Sequence, residues 1–153
     1  MSRVEDRLAE LGVTLPQVAA PVAAYVPTAR TGNLVWTSGQ LPFVEGRLST
    51  SGKVGAEVDA DTAKSLARTC ALNAIAAIAA EIGDLDRVRR VVKVVGFVAS
   101  DPSFTGQPGV INGASEFLGE VFGDRGRHAR SAVGVAVLPL DAPVEVEVVV
   151  EVD

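Results

Sequence analysis

The sequence has very few of the side chains from which metal and redox sites are built. Its 153 residues include one cysteine, Cys70, and one histidine, His128. A lone cysteine excludes an intrachain disulfide, and one cysteine with one histidine cannot complete a zinc shell. The carboxylates show no calcium-loop spacing, and glycine-rich phosphate motifs are absent. We therefore expect no metal site.

Aromatic side chains and positive charge are also scarce. Aromatics make up 5% of the residues, and 14 Lys and Arg stand against 19 Asp and Glu, for a net charge of -5. Few aromatic rings are therefore available for stacking against the bases of single-stranded nucleic acid. The negative net charge of the protein also disfavours binding of the phosphate backbone. The local basic residues 87 to 93 fit a solvated helix-to-strand connection. We expect no nucleic-acid partner.

No uninterrupted apolar run is long enough for a membrane span or a secretory signal. The first eight residues interleave charge with apolar side chains. A chain of this length with 48% hydrophobic residues fits one globular domain. We expect a cytoplasmic protein with no membrane partner.

The strongest helical pattern spans residues 60 to 82. Asp59 provides an N-cap, and Gly83 provides a residue suited to the left-handed conformation at the C-terminus. A wide apolar stripe follows at helical spacing: Ala63, Leu66, Ala67, Cys70, Ala71, Ala74, Ile75, Ile78 and Ile82. The many alanines predict close packing on a sheet.

Two further helices are predicted. Residues 108 to 122 begin with a proline and are followed by Gly123. Residues 2 to 12 form a shorter amphipathic pattern, in which Ser2 and Glu5 have the spacing of a capping box.

Strand patterns occupy most of the remaining chain. Short strands are predicted between residues 25 and 38, and a longer one over residues 91 to 98. Residues 43 to 55 fit a loop or weak edge hairpin. Residues 128 to 152 alternate on both sides of a proline-containing turn and predict a β-hairpin. Its two strands carry four charges: Arg130, Glu145, Glu147 and Glu151.

This order of elements predicts an α+β fold, with two helices on one face of a mixed or antiparallel sheet. The other face of the sheet would stay open. Because the predicted strands are rich in valine, we expect self-association to cover that face.

Arg130 is the leading candidate for ligand recognition. It stands among small residues, and its planar guanidinium suits bidentate binding of a carboxylate. An internal salt bridge to a hairpin glutamate is an equal alternative. In a hairpin turning near Asp141, Arg130 and Glu145 are offset by about seven residues, or more than about 20 Å. They would then share a site only between subunits, although Glu145 also fits a solvent-facing strand position.

Two other candidates for nucleophilic chemistry are weak. Cys70 lies in an apolar helical stripe and fits inert core. His128 is the one imidazole available to a Ser-His-Asp arrangement, and no nucleophile-elbow pattern accompanies it.

Several short motifs occur in a fixed order: Tyr25, Ser38-Gly39-Gln40-Leu41-Pro42, Asn112, Ala129-Arg130-Ser131, Leu138-Pro139 and Val144-Glu145-Val146-Glu147. The set resembles the YjgF/RidA family, also called endoribonuclease L-PSP, and its longer, less characterised branch. The resemblance covers about residues 20 to 153 and makes residues 1 to 19 an N-terminal helical extension. It implies a chorismate-mutase-like fold (bacillus type) and a homotrimer with ligand clefts between subunits.

The resemblance also implies an activity. Imine-deaminase members hydrolyse reactive 2-imino acids to 2-keto acids and ammonia without a metal or organic cofactor. Arg130 would hold the substrate carboxylate, and Glu145 would orient or activate the attacking water. The cleft would be lined by Tyr25, Ser38, Gly39, Asn112 and Ala132.

Two positions depart from the deaminase pattern. Ala132 stands where a cysteine is usual and Gly134 where a glutamate is common, which predicts a roomier, less polar cleft. A non-catalytic trimer that binds a small carboxylate or keto acid is the alternative. The ribonuclease or translation-inhibitor activity attached to the family name is less favoured, because the chain is acidic and poor in aromatics.

Overall fold

The structure, a computed structural model, describes residues 2–18 and 23–153. Within them the chain forms a five-stranded mixed sheet and three α-helices, so the α+β prediction is confirmed. The elements are α1 (Arg3–Glu10), β1 (Thr28–Thr31), β2 (Leu34–Thr37), α2 (Ala60–Ile82), β3 (Val88–Ala99), α3 (Gln107–Phe122), β4 (Ala129–Val135) and β5 (Val144–Val152). The predicted boundary between residues 19 and 20 lies outside the described residues.

The helices begin and end close to their sequence signals. The Asp59 carboxylate accepts a 2.7 Å hydrogen bond from the backbone N–H of Thr62, and Gly83 ends α2 at φ +83°. The capping box of Ser2 and Glu5 is present at the start of α1. Local side-chain chemistry therefore sets these boundaries.

The predicted hairpin over residues 128 to 152 is wrong. The strand order is β1-β2-β5-β3-β4, so β3 lies between the two strands that were expected to pair. β4 runs parallel to β3, and β5 runs antiparallel to both β2 and β3. Two physical reasons account for this order. The α3 helix provides the crossover that a parallel β3–β4 pair requires, and the valine-rich β5 is buried best at the centre.

Helices α2 and α3 cover one face of the sheet and enclose the main core. Its largest fully buried side chains include Phe117, Ile75 and Ile78. The short α1 packs on the same core through Val4 and Leu8. The division of the chain into residues 1 to 19 and 20 to 153 stays a prediction.

Helix α2 is long and apolar enough to cross a membrane when judged by length and hydropathy alone. Half of its most apolar 18-residue stretch is buried inside the protein. The core helix of a globular domain has these same properties, and α2 contacts both α3 and β5.

The face of the sheet opposite the helices is only partly covered. Leu41, Ala99, Leu138 and Ala142 form a small buried cluster at one end of it. Trp36 and Val133 alternate with helix-facing neighbours, so both lie on this face, and they are 50% and 44% exposed. We call this surface the open face.

Candidate functional site

Arg130 and Glu145 lie on opposite faces of the sheet. Arg130 is in register with Val94, which is buried beneath the helices, and sits on the edge strand β4. Glu145 is in register with Phe97 and alternates with buried helix-facing valines, which places it on the open face. The two side chains therefore do not meet within one chain. The sheet itself separates them, and not the offset along a hairpin that was predicted from the sequence.

Three neutral acceptors on α3 hold the Arg130 guanidinium. One terminal nitrogen, Nη1, donates to Oδ1 of Asn112 at 2.7 Å and to Oγ of Ser115 at 3.2 Å. The other, Nη2, donates to the backbone carbonyl of Pro108 at 3.4 Å. Among residues 2–18 and 23–153, Arg130 forms no salt bridge. The internal salt bridge considered from the sequence is therefore not formed in this chain.

These contacts leave two of the five guanidinium N–H groups without a bond in the described chain. They are the Nε–H and one of the two Nη2–H groups, and Nε and Nη2 are the two nitrogens of one edge of the planar group. Two parallel N–H donors on one edge match the two oxygens of a carboxylate. Arg130 is therefore arranged to bind a carboxylate in a bidentate manner.

Ser115 and His128 belong to the same cluster and were missed from the sequence. The Ser115 hydroxyl lies 2.9 Å from Nε2 of His128, and Nδ1 of His128 lies 2.6 Å from the carbonyl oxygen of Gly126. The spacing of Pro108, Asn112 and Ser115 was the available signal, because positions i, i+4 and i+7 share one helix face.

The predicted roomier and less polar cleft is wrong at Gly134. A β-carbon there would lie 2.9 Å from Nε2 of Gln107 and 3.2 Å from Oγ of Ser100. The Gln107 amide itself donates to Ser100 Oγ at 3.2 Å. Polar side chains from α3 and the end of β3 therefore fill the space next to Gly134. Ala132 lies between Arg130 and Gly134 on the same face and packs partly against the core.

The open-face group is built around Glu145. A β-carbon at Gly39 would lie 2.7 Å from Oε1 of Glu145, so only glycine allows this carboxylate to lie against the backbone. Burial raises the pKa of the Glu145 carboxyl above its usual value, and the neighbouring Glu147 carboxylate raises it further. Glu147 is a third residue whose effect on the site was missed.

Ser38 precedes Gly39 in the chain and is hydrogen-bonded to the segment that follows Tyr25. The Ser38 hydroxyl donates to the carbonyl of Val26 at 2.6 Å, and its backbone N–H donates to the carbonyl of Pro27 at 2.8 Å. These bonds hold the segment that carries Tyr25 beside the end of β2. The Tyr25 side chain is 51% exposed.

The predicted site residues thus form two half-sites. Each is named by its charged residue, the Arg130 half-site and the Glu145 half-site. The Arg130 half-site contains Arg130, Asn112 and Ala132, with Ser115 and His128. The Glu145 half-site contains Glu145, Gly39 and Ser38, with Glu147, and Tyr25 lies on the segment that Ser38 holds.

A separate cavity of about 710 Å³ is lined by neither Arg130 nor Glu145. It is lined by residues 16–18, by Gln40, Phe43, Glu45 and Gly46, and by Asn73 of α2. The Asn73 amide donates to the carbonyls of Leu41 and Phe43, both at 3.0 Å, and so ties this loop to the helix. Across the described residues, no three His, Cys, Asp or Glu side chains are grouped to hold a metal ion.

Comparison with known proteins identifies the family. The sequence matches the family described as "YjgF/chorismate_mutase-like, putative endoribonuclease" over residues 5–152. The chain belongs to this family. The resemblance inferred from the ordered motifs is confirmed, and so is the chorismate-mutase-like fold.

Two relatives are similar over nearly the whole chain. Protein TCP17 of Trypanosoma cruzi is 47% identical over 152 residues, which cover 99% of this chain and 95% of TCP17. The crystal structure of Atu1372 from Agrobacterium tumefaciens, a protein of unknown function, is 49% identical with a TM-score of 0.92. The alignment covers 98% of this chain and 92% of Atu1372.

A third solved structure connects the chain to the protein after which the family is called. The YjgF gene product of E. coli is 27% identical, with a TM-score of 0.62. That alignment covers 88% of this chain and 93% of the E. coli protein. The lower TM-score shows that this chain departs further in structure from YjgF than from Atu1372.

Proposed function

We propose that this member of the YjgF family is an enamine/imine deaminase, which hydrolyses small 2-imino acids to 2-keto acids and ammonia. The bonding of Arg130 carries the proposal. Its guanidinium is fixed by three neutral acceptors and keeps one bidentate edge for a ligand carboxylate. A permanently charged group held in this way discriminates strongly in favour of carboxylate substrates.

Glu145 supports the hydrolytic step. Its carboxylate accepts a proton from water while the water oxygen bonds to the imine carbon, and this proton passes to the nitrogen to give a carbinolamine. The carboxylate then takes the remaining hydroxyl proton and passes it to the nitrogen as the carbonyl forms, the carbon–nitrogen bond breaks and ammonia leaves. Burial and the charge of Glu147 raise the pKa of Glu145, which makes it a better proton acceptor than an ordinary surface glutamate. The chemistry needs only a held substrate and one positioned water.

The location of the two half-sites supports a site between subunits. Arg130 lies on the edge strand beneath α3, and Glu145 lies on the open face. The sheet separates them within one chain. We therefore propose that the Arg130 half-site of one subunit and the Glu145 half-site of its neighbour together form one site. The proposed assembly is a homotrimer in which each open face is covered by the other subunits.

The deaminase proposal is tested with 2-imino acids generated in situ from several amino acids by an amino-acid oxidase. We expect the protein to accelerate release of ammonia and 2-keto acid, and Glu145→Gln to lower kcat by about 100-fold. Carboxylate binding without acceleration in any of these reactions would contradict the deaminase and favour a non-catalytic carboxylate binder. Cleavage of RNA by repurified protein, lost on mutation of the site, would favour the ribonuclease instead.

The pH dependence of kcat gives a separate prediction. A general base works only when deprotonated, so activity falls as the pH falls through the pKa of Glu145. We expect Glu147→Gln to move this fall in activity to lower pH, because the substitution removes the like charge that raises the pKa of Glu145. The measurement is the pH profile of kcat for both proteins. If kcat falls at the same pH in both proteins, the coupling between the two carboxylates is contradicted.

The assembly is tested by placing a charge on the open face. We expect the wild type to sediment at about three times the 15.8 kDa chain mass and Val133→Asp to raise the dissociation constant of the trimer by about 100-fold. Ser65→Asp adds the same charge on the exposed side of α2 and should leave the trimer intact. A monomeric wild type at micromolar concentration would contradict the proposed site as well.

A further inference from the structure

The Ser115 hydroxyl joins Arg130 to the single imidazole of the chain. Its oxygen lies 3.2 Å from Nη1 of Arg130 and 2.9 Å from Nε2 of His128. The other ring nitrogen, Nδ1, lies 2.6 Å from the carbonyl oxygen of Gly126. These contacts form a continuous chain of hydrogen bonds from the backbone to the guanidinium.

Chemistry fixes the direction of two bonds in this chain, and it fixes the third, between Ser115 and Nε2 of His128, when the ring is neutral. A carbonyl oxygen only accepts, so Nδ1 of His128 carries a proton and donates to Gly126. In the neutral ring Nε2 is then an acceptor, and the one proton of the Ser115 hydroxyl must point at it. Guanidinium N–H groups only donate, so Arg130 uses a lone pair of the Ser115 oxygen. The neutral ring thus turns the hydroxyl so that a lone pair faces Arg130.

The fold brings these groups together from three elements. Asn112 and Ser115 are three residues apart on α3, so both project to the same side of the helix. His128 and Arg130 are two residues apart around the start of β4, which gives them a common face of the strand. Gly126, in the turn Gly123–Gly126 before the strand, supplies the carbonyl that selects the ring tautomer.

We propose that Ser115 and His128 are positioning residues, which hold the Arg130 guanidinium in the orientation that binds a ligand carboxylate. This inference rests on the proposed function of Arg130 and assigns it two supporting residues. Asn112 and Ser115 each accept from Nη1, and Pro108 accepts from Nη2, so all three acceptors on α3 fix the plane of the guanidinium. Without the serine oxygen the planar group can rotate and its free edge is no longer preset for two carboxylate oxygens.

The first test compares carboxylate affinity across variants at Ser115. The probe is pyruvate, a stable 2-keto acid, and its dissociation constant is measured by titration calorimetry. We expect Ser115→Ala to weaken binding by about tenfold, and Ser115→Thr, which keeps the hydroxyl, to stay within about threefold of wild type. Ser65→Ala, at an exposed serine of α2, is the matched control and should bind like wild type.

A double-mutant cycle tests whether His128 acts through Ser115. His128→Ala should weaken pyruvate binding in the wild-type background and have no further effect in the Ser115→Ala background. Equal losses in both backgrounds would show that His128 acts on its own and would overturn the relay. In steady-state kinetics, the Ser115→Ala change should raise KM for the 2-imino acid far more than it lowers kcat.

The tautomer is read directly by nitrogen-15 NMR, because the chain has one histidine and so one imidazole signal set. We expect the ring to carry a proton on Nδ1, and the Nε2 resonance to shift in Ser115→Ala. A ring protonated at Nε2 alone would overturn the assignment. Loss of pyruvate binding in Arg130→Ala but not in Ser115→Ala would remove this inference and leave the proposed function standing. Unchanged binding in Arg130→Ala would remove both.

Discussion

Replacing Arg130 by alanine is expected to lower kcat/KM for 2-imino acids by about 100-fold, because the substrate carboxylate loses its bidentate charged partner. Truncating one member of a hydrogen-bonded charge pair costs about 3 kcal/mol, and about 1.4 kcal/mol corresponds to each factor of ten in rate. Arg130→Lys keeps the charge without the planar fork and should fall between alanine and wild type.

Arg127→Ala is the matched control for this prediction. Arg127 lies three residues earlier, its side chain is 87% exposed, and its ion pair with Asp124 is long at 3.8 Å. Removing it changes the net charge equally, so a nonspecific electrostatic effect would appear in both variants. Equal losses of kcat/KM in Arg127→Ala and Arg130→Ala would contradict specific carboxylate binding. The same holds if Arg130→Ala lowers kcat/KM by the same factor for an amide analogue that lacks the carboxylate.

Gly113→Ala is expected to destabilise the protein by about 3 kcal/mol, the largest effect on folding that we predict. Gly113 lies where α3 crosses α2, and a β-carbon there would lie 2.0 Å from the backbone carbonyl oxygen of Lys64. No rotamer change relieves a clash with backbone, so the two helices must move apart. The adjacent Asn112, which accepts the hydrogen bond of Arg130, would move with α3.

Gly109→Ala tests whether the Gly113 effect comes from contact and not from glycine chemistry. Gly109 lies in the first turn of the same helix, is exposed, and has no neighbouring atom within 4 Å of an added β-carbon. There alanine should stabilise the protein by about 0.5–1 kcal/mol, since it is the better helix former. Both variants are compared with wild type by urea unfolding at one protein concentration. A loss under about 1 kcal/mol in Gly113→Ala would contradict the close helix crossing.

The helices were predictable because their signals are local. Asp59 and Gly83 are next to the ends of α2, and the Ser2–Glu5 capping box is contained within one turn at the start of α1. Strand β3 was predicted three residues too short at its start, since Val88 to Arg90 mix apolar and charged side chains. The apolar alternation of β5 predicted a strand correctly but not its partners.

The pairing of strands could not be read from the same patterns. Adjacent strands in sequence with a short turn favour a hairpin, and β4 and β5 fit that description. The alternative, a crossover through α3 that makes β4 parallel to β3, depends on packing the α3 helix against the sheet. That packing energy comes from contacts between distant parts of the chain, so it cannot be read from a short stretch of sequence.

The family, the α+β class, the helices and the charged residues of the two half-sites could all be inferred from the sequence. These are properties of residue type and spacing along the chain. Three features required the folded chain: Arg130 and Glu145 occupy opposite faces of the sheet, Ser115 and His128 are hydrogen-bonded in series to Arg130, and Gln107 fills the space at Gly134. Each of these depends on which strand lies next to which and on where a helix crosses the sheet, and such long-range contacts are fixed by burial of the whole core.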